Sequence, residues 1–285
     1  MSSRAVCLVV NPARVDAINA AKELAPLLHS AGFTLFTISD VEIDSITKVH
    51  GADLPPVEVA VVLGGDGTIL RAAEVTIAQD IPLLGINLGH VGFMAEVEKP
   101  SIAAIAESII NKSYVSESRM VLQFSVIREG KEVGSGWALN EVTVERDGTT
   151  MVELFVEIDK RPLSHWGCDG LICSTPTGST AYAFSAGGPV LWPEIDALVL
   201  LPISAHALFS RPMVVSPKSE IVVTIESQAA LLSADALRKI ALKSGDRVVI
   251  TRDARTIKLS HVHSTLFTDR LVAKFKLPIE GWRGE

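Results

Sequence analysis

The stretch VAVVLGGDGTILRAAE at residues 59–74 combines an apolar run, a glycine-rich turn and a helix-forming segment. The apolar run is typical of a buried strand, and the glycines let the backbone approach a ligand closely. The helix that follows directs unpaired N–H groups and the positive end of its dipole at the turn, where phosphate commonly binds. Asp66 is unusual there, because a carboxylate repels phosphate unless it orients a hydroxyl group or holds a cation.

A glycine-rich turn by itself is weak evidence for phosphate binding, because many such turns only connect a strand to a helix. This one lacks the Gly-Lys-Ser/Thr ending of a Walker A loop and the G-x-G-x-x-G pattern of dinucleotide-binding proteins. Asp66 in the middle of the turn favours a chemical role over a purely structural one.

The chain of 285 residues is long enough for one large or two ordinary domains. Its composition, 48% apolar and 21% charged, is that of a soluble globular protein. The net charge of −7 disfavours broad binding to nucleic acid or to an anionic membrane surface. The longest apolar stretch, near residues 197–208, is too short to span a bilayer, and the apolar N-terminal stretch is too short for a signal peptide.

The cysteines and histidines give no sign of a disulfide framework or a metal site. Cys7, Cys168 and Cys173 are odd in number and form no C-x-x-C pair, which favours reduced thiols in a cytoplasmic protein. His261 and His263 would share one face of a strand, but no companion ligand is near them in the sequence. We therefore predict no metal ligands among them.

Alternating strand and helix patterns fill residues 1–120. The expected strands are 6–10, 34–38, 59–63 and 82–86, and the expected helices are 16–30 and 69–78. Such alternation favours an α/β domain with a Rossmann-like parallel sheet covered by helices. In such sheets ligands bind beyond the carboxyl ends of the strands, where residues 64–68 and Asn87 lie.

The pattern changes near residue 120. Strands are expected at 121–128, 132–145, 151–158, 220–226 and 247–252. Turn residues separate the first three of these, which predicts a β-rich, antiparallel, sandwich-like second domain over residues 121–262. Residues 267–275 return to a helical period, so we expect the segment 263–285 to pack on the first domain.

The segment GCDGLICSTPTGSTAYAFSAGGP at residues 167–189 is unusually rich in glycine, serine, threonine and proline. Such a composition is also found in long surface loops, but apolar residues near both ends would anchor this one inside the protein. Its many short hydrogen-bonding groups beside Tyr182 suit recognition of ribose, amide and adenine. The absence of a G-x-S-x-G elbow argues against a serine hydrolase.

A polar pair, Asn140-Glu141, interrupts an apolar strand pattern. Alternation along a strand places the two side chains on opposite faces, so at least one is expected to face the core or a cleft. A buried polar side chain needs partners. The alternative is an edge strand on which both groups are solvated.

Together these segments resemble the NAD kinase family over nearly the whole chain. The family's motifs match here as Gly-Gly-Asp-Gly-Thr at 64–68, Asn-Glu at 140–141, Asp-Gly at 169–170, Thr-Pro-Thr-Gly-Ser-Thr-Ala-Tyr at 175–182, and Gly-x-Asn-x-Gly at 85–89 followed by Gly-Phe at 92–93. The first motif is shared with lipid kinases of the diacylglycerol kinase type and, loosely, with 6-phosphofructokinases. The long motif is much more specific.

The resemblance implies transfer of the γ-phosphoryl group of ATP to the 2′-hydroxyl of the adenosine ribose of NAD, which gives NADP. Some members of the family also use inorganic polyphosphate. Mg²⁺ would accompany ATP, and Asp66 or Glu141 would contact it directly or through water. The family and the exposed β domain both suggest a homodimer or a homotetramer.

Carried over position by position, the resemblance makes Asp66 the proton acceptor or the group that orients the 2′-hydroxyl. The other candidate ligand-binding residues are Gly64, Gly65, Gly67 and Thr68 in the phosphate turn, Arg71 and Asn87, Asn140, Glu141 and Asp169 for NAD, and Thr180, Ala181, Tyr182, Ala183, Phe184 and Ser185 on the adenosine side.

One departure from the family lies at residues 233–237, which read Ser-Ala-Asp-Ala-Leu. The family has a turn of the type Asp-Gly-Gln/Arg here, and its last residue can contact the ligand. Leu237 makes no polar contact, so the contact is either lost or supplied by Arg238. These residues are therefore not among the candidates.

Two other functions compete with an NAD kinase. A lipid kinase of the diacylglycerol kinase type would need an acyl-chain pocket and membrane affinity, which the acidic balance of the chain disfavours. A non-catalytic dinucleotide-binding regulator would gain nothing from the charge of Asp66.

Overall fold

The computed structural model describes residues 4–88, 92–95, 100–263 and 266–278. The strands are β1 (Ala5–Val10), β2 (Thr34–Thr37), β3 (Ile46–Lys48), β4 (Val59–Leu63), β5 (Leu83–Ile86), β6 (Val115–Arg128), β7 (Lys131–Ala138), β8 (Glu141–Arg146), β9 (Val152–Ile158), β10 (Arg161–Cys168), β11 (Gly170–Ser174), β12 (Leu198–Ile203), β13 (Met213–Val215), β14 (Ile221–Ile225), β15 (Ala229–Ala234), β16 (Arg238–Lys243) and β17 (Arg247–His261). The α-helices are α1 (Val15–Ser30), α2 (Asp66–Thr76), α3 (Ile102–Asn111), α4 (Tyr182–Ser185) and α5 (Phe267–Phe275), and short 3-10 helices lie at Gly51–Asp53, Ile77–Gln79 and Gly178–Thr180.

The chain forms two compact units. The described residues up to Ser118 and from Ile257 onward form the first unit, and Arg119–Thr256 form the second.

The first unit contains a parallel sheet in the order β17-β5-β4-β1-β2-β3, to which β17 contributes its last residues. Strands β4 and β5 are buried along their whole length, as expected for a parallel sheet covered on both faces. Leu63 pairs with Ile86, so the residues that follow these two strands emerge at the same edge. The predicted α/β fold of this part of the chain is confirmed.

Helix α1 shows why this sequence covers the sheet. Its alanines and leucines recur at helical spacing, and the buried ones form a single apolar face. That face joins the core formed by β1, β2, β4 and β5. The helix ends at Ser30, and Gly32 follows with a φ of +88°, a conformation that glycine adopts without strain.

The second unit is built from antiparallel strands. One sheet has the order β13-β12-β11-β8-β15-β16, and a second antiparallel series runs β10-β9-β14-β17, while β6 pairs with β17 and β7. Side chains from both groups of strands, among them Trp166, Val144 and Leu200, share one apolar core. The β-rich, antiparallel fold predicted here is confirmed.

The strands differ in detail from the sequence prediction. The single strand expected at 132–145 is two strands, β7 and β8, because Leu139 and Asn140 bend out of the ladder. The strand expected at 247–252 continues to His261. Strands β3, β10, β11, β12, β13, β15 and β16 were not predicted.

Helix α5 lies where the helical period was predicted, and its contacts are within the first unit. The Phe267 and Phe275 rings lie 6.2 and 5.6 Å from the Phe93 ring, between centroids. Arg270 is buried and donates to the Phe93 carbonyl and contacts the His261 ring nitrogen at 3.0 Å. Among the described residues, no helix is both long and apolar enough to cross a membrane.

Candidate active site

Asp66 lies at the start of α2, directly beyond the carboxyl end of β4. Its carboxylate accepts hydrogen bonds from the backbone nitrogens of Phe93 at 3.1 Å and Met94 at 3.3 Å. The residue is half-buried, and its negative charge sits in the first helical turn, where the helix dipole stabilises it. The backbone of Phe93 and Met94 therefore fixes the position of the Asp66 carboxylate, and the side chain stays partly exposed to solvent.

The glycines of this turn have two different roles. A Cβ at Gly64 would overlap the Thr68 Oγ1, so the turn needs glycine there for its own packing. Among the described residues, no atom would lie within 4 Å of a Cβ at Gly65 or Gly67. The start of α2 is therefore open on the side of Gly65 and Gly67, and a ligand has room to approach the backbone N–H groups that a helix leaves free at its first turn.

Two further candidates of the first unit lie close to this turn. Asn87 is buried and follows β5 at the sheet edge where Gly64 follows β4. Arg71 is exposed on α2, five residues after Asp66. The structure thus brings the phosphate turn and Asn87 together at the carboxyl ends of neighbouring strands.

In the second unit, Asn140 occupies the bend between β7 and β8 and is only 8% exposed. The backbone nitrogen of Thr175 donates to the Asn140 carbonyl at 2.8 Å, and the Ser174 hydroxyl donates to it at 3.2 Å. The Thr175 hydroxyl donates to the Leu139 carbonyl at 2.5 Å. A Cβ at Gly178 would overlap the Asn140 carbonyl, so glycine is required for this close approach.

Several hydroxyl groups of the hydroxyl-rich segment bind the protein's own backbone. Ser174, Thr175 and Ser179 are fully buried, and their hydroxyls bind backbone groups of the protein rather than facing a ligand. The hydroxyl of Thr180, a candidate residue, donates to the Thr177 carbonyl at 3.2 Å. These hydroxyl groups stabilise the backbone of the segment.

Asp235 supports the same bend from its other side. Its carboxylate accepts hydrogen bonds from the backbone nitrogens of Leu139 at 2.7 Å, Asn140 at 2.7 Å and Glu141 at 3.2 Å. Sequence reasoning left Asp235 out because its turn departs from the family pattern. The Asp-Ala turn itself was the available signal, since an aspartate in a tight turn often binds nearby backbone N–H groups.

Glu141 is a buried carboxyl group, 8% exposed, and its Oε2 has no hydrogen-bond partner among the described residues. Burial raises the pKa of Glu141 to about 8, and the nearby charges of Asp235 and Glu145 act in the same direction, against the lowering effect of the Tyr182 backbone N–H. At neutral pH this group is mainly a neutral acid, which is able to donate a hydrogen bond as well as accept one.

Glu141 lines a cavity of about 360 Å³ within the second unit. Of the other candidates, Tyr182 also lines it, and its hydroxyl lies 3.3 Å from the Glu145 Oε2. Asp235 and Ala236, which were not predicted, contribute to the same wall. The cavity therefore combines carboxyl groups, the basic side chains of Arg146 and Lys239, and one aromatic ring.

The remaining candidate residues of the second unit differ in how exposed they are. The Ala183 side chain packs into an apolar cluster, so only its backbone is available to a ligand. Phe184 and Ser185 are exposed, and Ala181 is partly buried. Asp169 is partly exposed and forms an ion pair with Arg146 at 2.8 Å.

Arg238, the alternative source of the polar contact that Leu237 cannot make, is the first residue of β16 and contacts Trp137. Its guanidinium donates to the Trp137 carbonyl at 2.8 Å and lies 4.1 Å from the centre of the Trp137 ring. Leu237 is exposed in the turn between β15 and β16.

Comparisons with known proteins agree with this architecture. The family models of the ATP-NAD kinase N-terminal domain and C-terminal domain match residues 6–114 and 139–262. The NAD kinase of Thermobifida fusca is 43% identical, over 99% of this chain and 92% of its own length.

Two solved structures share the fold. Yeast NADH kinase, complexed with NADH, has a TM-score of 0.84 at 22% identity and covers 99% of this chain and 89% of its own. An NAD kinase from Archaeoglobus fulgidus, in complex with ATP, has a TM-score of 0.71 at 24% identity and covers 96% and 98%.

The fold, the glycine-rich turn and its aspartate define a phosphotransferase that acts on an alcohol group. The chain belongs to the NAD kinase family. This membership gives no support to a lipid kinase or to a non-catalytic dinucleotide-binding regulator.

Proposed function

We propose that the protein transfers the γ-phosphoryl group of ATP to the 2′-hydroxyl of the adenosine ribose of NAD and so forms NADP, with inorganic polyphosphate as a second donor to be tested. The observation that carries the proposal is the half-buried Asp66 carboxylate, held by two backbone N–H groups at the start of α2. A negative charge fixed beside an open helix N-terminus has a clear use when a hydroxyl group must be brought to a phosphate.

The first domain, residues 1–120, is assigned to the phosphate donor. Residues 64–68 surround the phosphates of ATP, because Gly65 and Gly67 leave space for a ligand beside the N–H groups of α2. Arg71 supplies a positive charge to the same ligand, and Asn87 supports it from the neighbouring strand end. The NAD kinase from Archaeoglobus fulgidus, which shares this fold, is in complex with ATP, and this supports a nucleotide as the donor.

Asp66 orients the attacking 2′-hydroxyl and accepts its proton late in the transfer. Phosphoryl transfer depends on positioning and charge neutralisation more than on covalent help from the protein. A carboxylate is a weak base for a sugar hydroxyl, so its main contribution is to hold the oxygen in line with the phosphorus.

The second domain, residues 121–262, is assigned to NAD. Asn140 and Glu141 hydrogen-bond the dinucleotide, Asp169 contacts its far end, and residues 180–185 line the adenosine side. The unpartnered Oε2 of Glu141 and the exposed Tyr182 ring are suited to these contacts. Yeast NADH kinase, which shares this fold, is complexed with NADH, and this supports a nicotinamide dinucleotide as the acceptor.

Asp66 or Glu141 would contact the Mg²⁺ that accompanies ATP, directly or through water. No group of three or more histidine, cysteine, aspartate or glutamate side chains suited to a metal is present in the described part of the chain. This fits Mg²⁺, which keeps several waters and binds through substrate phosphates and one or two carboxylates. Asp66 is the carboxylate of the phosphate turn. Bound there, the ion would neutralise phosphate charge.

The proposal includes a homodimer or homotetramer that works in the cytoplasm. Several large apolar side chains of the second unit are exposed, namely Trp192, Ile195, Leu208, Phe209 and Val214. A self-complementary surface would cover them in an assembly. The three buried, free cysteines agree with a reducing compartment.

The test is a coupled assay. The protein is incubated with NAD, Mg²⁺ and either ATP or polyphosphate, and the product is offered to a glucose-6-phosphate dehydrogenase that is specific for NADP. Reduction that depends on the protein and on the donor is the expected result. No NADP above background with either donor would overturn the proposal.

A further inference from the structure

The bend at Leu139 and Asn140 places buried backbone N–H and C=O groups outside the strand ladder. These residues leave the strand ladder between β7 and β8, yet both are buried. Buried backbone N–H and C=O groups that lose their ladder partners must find other hydrogen-bond partners, because leaving them unsatisfied destabilises the fold.

Asp235 satisfies every N–H group of the bend. Its Oδ2 accepts from Leu139, and its Oδ1 accepts from both Asn140 and Glu141. The backbone nitrogen of Asp235 donates in return to the Glu141 carbonyl at 3.1 Å. Hydrogen bonds to an ionised acceptor are stronger than neutral ones, so the three N–H groups are held firmly in direction.

Strand β11 and the residue after it satisfy the carbonyl groups of the same bend. Thr175 donates its hydroxyl to the Leu139 carbonyl and its backbone nitrogen to the Asn140 carbonyl. The bend is therefore clamped between a carboxylate on its N–H side and Thr175 on its carbonyl side. Rotation of either peptide plane would break hydrogen bonds on both sides at once.

The Asp235 carboxylate also lies close to the Glu141 carboxyl group, where two negative charges would repel each other. Asp235 is buried, and its charge disfavours a second charge on Glu141. A neutral side chain of the same shape, asparagine, could not replace Asp235 here. It has a single acceptor oxygen, and its NH₂ group would face one of the three N–H donors. The geometry requires an acceptor at both oxygens.

We propose that Asp235 is a positioning residue for NAD: by fixing the N–H groups of Leu139, Asn140 and Glu141, it sets the direction in which the Asn140 and Glu141 side chains meet the dinucleotide. This inference rests on the proposed function.

The test compares Asp235→Asn with Asp246→Asn. Asp246 is a matched control, because it is also buried in the second unit and near a hairpin turn, where it accepts from Arg128 at 2.6 Å and from the Lys243 backbone at 2.8 Å. KM for NAD, KM for ATP, kcat and the melting temperature are measured for both variants and the wild type.

We expect Asp235→Asn to raise KM for NAD by about tenfold or more while KM for ATP stays within about twofold. Asp246→Asn is expected to lower the melting temperature and leave both KM values unchanged. A KM for NAD within about twofold of wild type in Asp235→Asn, or an equal rise in both KM values, would overturn the inference.

A second variant keeps the test decisive if Asp235→Asn does not fold. Thr175→Val removes the hydroxyl that holds the Leu139 carbonyl and nearly preserves the side-chain volume. It is expected to raise KM for NAD selectively as well, and an unchanged KM for NAD would count against the clamp. Failure of the wild type to form NADP would contradict the proposed function, whereas an active wild type with insensitive variants would contradict only the role of Asp235.

Discussion

The Asp66 carboxylate accepts a hydrogen bond from the backbone nitrogen of Phe93 at 3.1 Å, across 27 residues of chain. The Phe93 carbonyl in turn accepts from the buried Arg270 of α5 at 3.2 Å. A short loop thus connects the C-terminal helix of the first unit to the carboxylate of the phosphate turn. Gly92 completes the contact, since a Cβ there would overlap the Asp66 carboxylate.

Asp66→Asn should lower kcat by about 10²–10⁴-fold, the range typical of a positioned acid or base, and leave the dissociation constant for NAD nearly unchanged. The amide keeps an acceptor oxygen for the Phe93 nitrogen but turns its NH₂ group toward the Met94 nitrogen, so the melting temperature is measured as well to separate a loss of turnover from a loss of stability. Coupled turnover assays and calorimetric titration with NAD measure the two effects.

Asp16→Asn is the matched control for that experiment. Asp16 also lies in the first turn of a helix of the first unit, and it pairs with Arg14 at 2.5 Å. The kcat of Asp16→Asn should equal that of the wild type. Near-native turnover in Asp66→Asn would show that Asp66 is structural.

Gly67→Ala should separate function from stability. A Cβ there meets no atom of the described residues within 4 Å, and alanine is a better helix former than glycine. The free energy of unfolding should therefore be unchanged or increased by up to about 1 kcal/mol. The methyl group occupies space assigned to phosphate, and KM for ATP should rise about tenfold, which corresponds to about 1.4 kcal/mol.

Gly64→Ala provides the contrast. Its Cβ would overlap the Thr68 side chain, so both stability and activity should fall. Unaltered ATP kinetics in Gly67→Ala, measured together with chemical unfolding, would argue against phosphate at this turn.

The raised pKa of Glu141, about 8, predicts a pH-dependent stability. The folded protein binds this proton up to about pH 8, whereas the unfolded chain releases it near the ordinary glutamate pKa of 4.5. Between these values the folded state binds more protons, so the free energy of unfolding falls as pH rises, by about 1.4 kcal/mol per pH unit for one proton.

Urea unfolding at several pH values between 5 and 8 checks this effect. In Glu141→Gln the free energy of unfolding should fall less steeply with pH than in the wild type, because the glutamine has no proton to lose. Glu132→Gln, at an exposed carboxylate of β7, should keep the slope of the wild type. Parallel curves for Glu141→Gln and the wild type would contradict the prediction.

Ala236→Gly should stabilise the protein. Asp235 and Ala236 have φ values of 51° and 56° in the turn between β15 and β16, and the left-handed conformation costs a non-glycine residue about 1–2 kcal/mol. Replacement by glycine should raise the free energy of unfolding by about 1 kcal/mol in chemical denaturation.

The control variant, Ala241→Gly, should lower the free energy of unfolding instead of raising it. Ala241 is exposed in the interior of β16, where glycine should cost about 0.5–1 kcal/mol. A loss of stability in Ala236→Gly of the size seen in Ala241→Gly would show that the turn carries no strain.

The parallel sheet could be predicted because its signals are local. Residues 59–63 and 82–86 are short apolar runs bounded by turn residues, and the glycine-rich turn follows the first of them directly. The hairpin of β15 and β16 was missed because its turn reads Asp-Ala, without the glycine that usually marks two positive φ angles.

The support of the site could not be predicted because its partners are distant in sequence. Asp235 binds the Asn140 nitrogen across 95 residues, and the Thr175 hydroxyl binds the Leu139 carbonyl across 36. Composition showed that residues 174–180 are rich in hydroxyl groups, but only the folded chain shows that most of them face inward. The same long-range contacts explain why the strand expected at 132–145 breaks at Asn140.

A labelled phosphoryl group shows directly whether this protein converts NAD to NADP. The wild-type protein is incubated with NAD, Mg²⁺ and ATP labelled at the γ-phosphoryl group, and the products are separated and quantified. We predict that ADP and NADP form in equal amounts and that the label is on the 2′-position of the adenosine ribose. Release of the label as free phosphate while NAD stays unlabelled would show that the protein hydrolyses ATP and does not phosphorylate NAD.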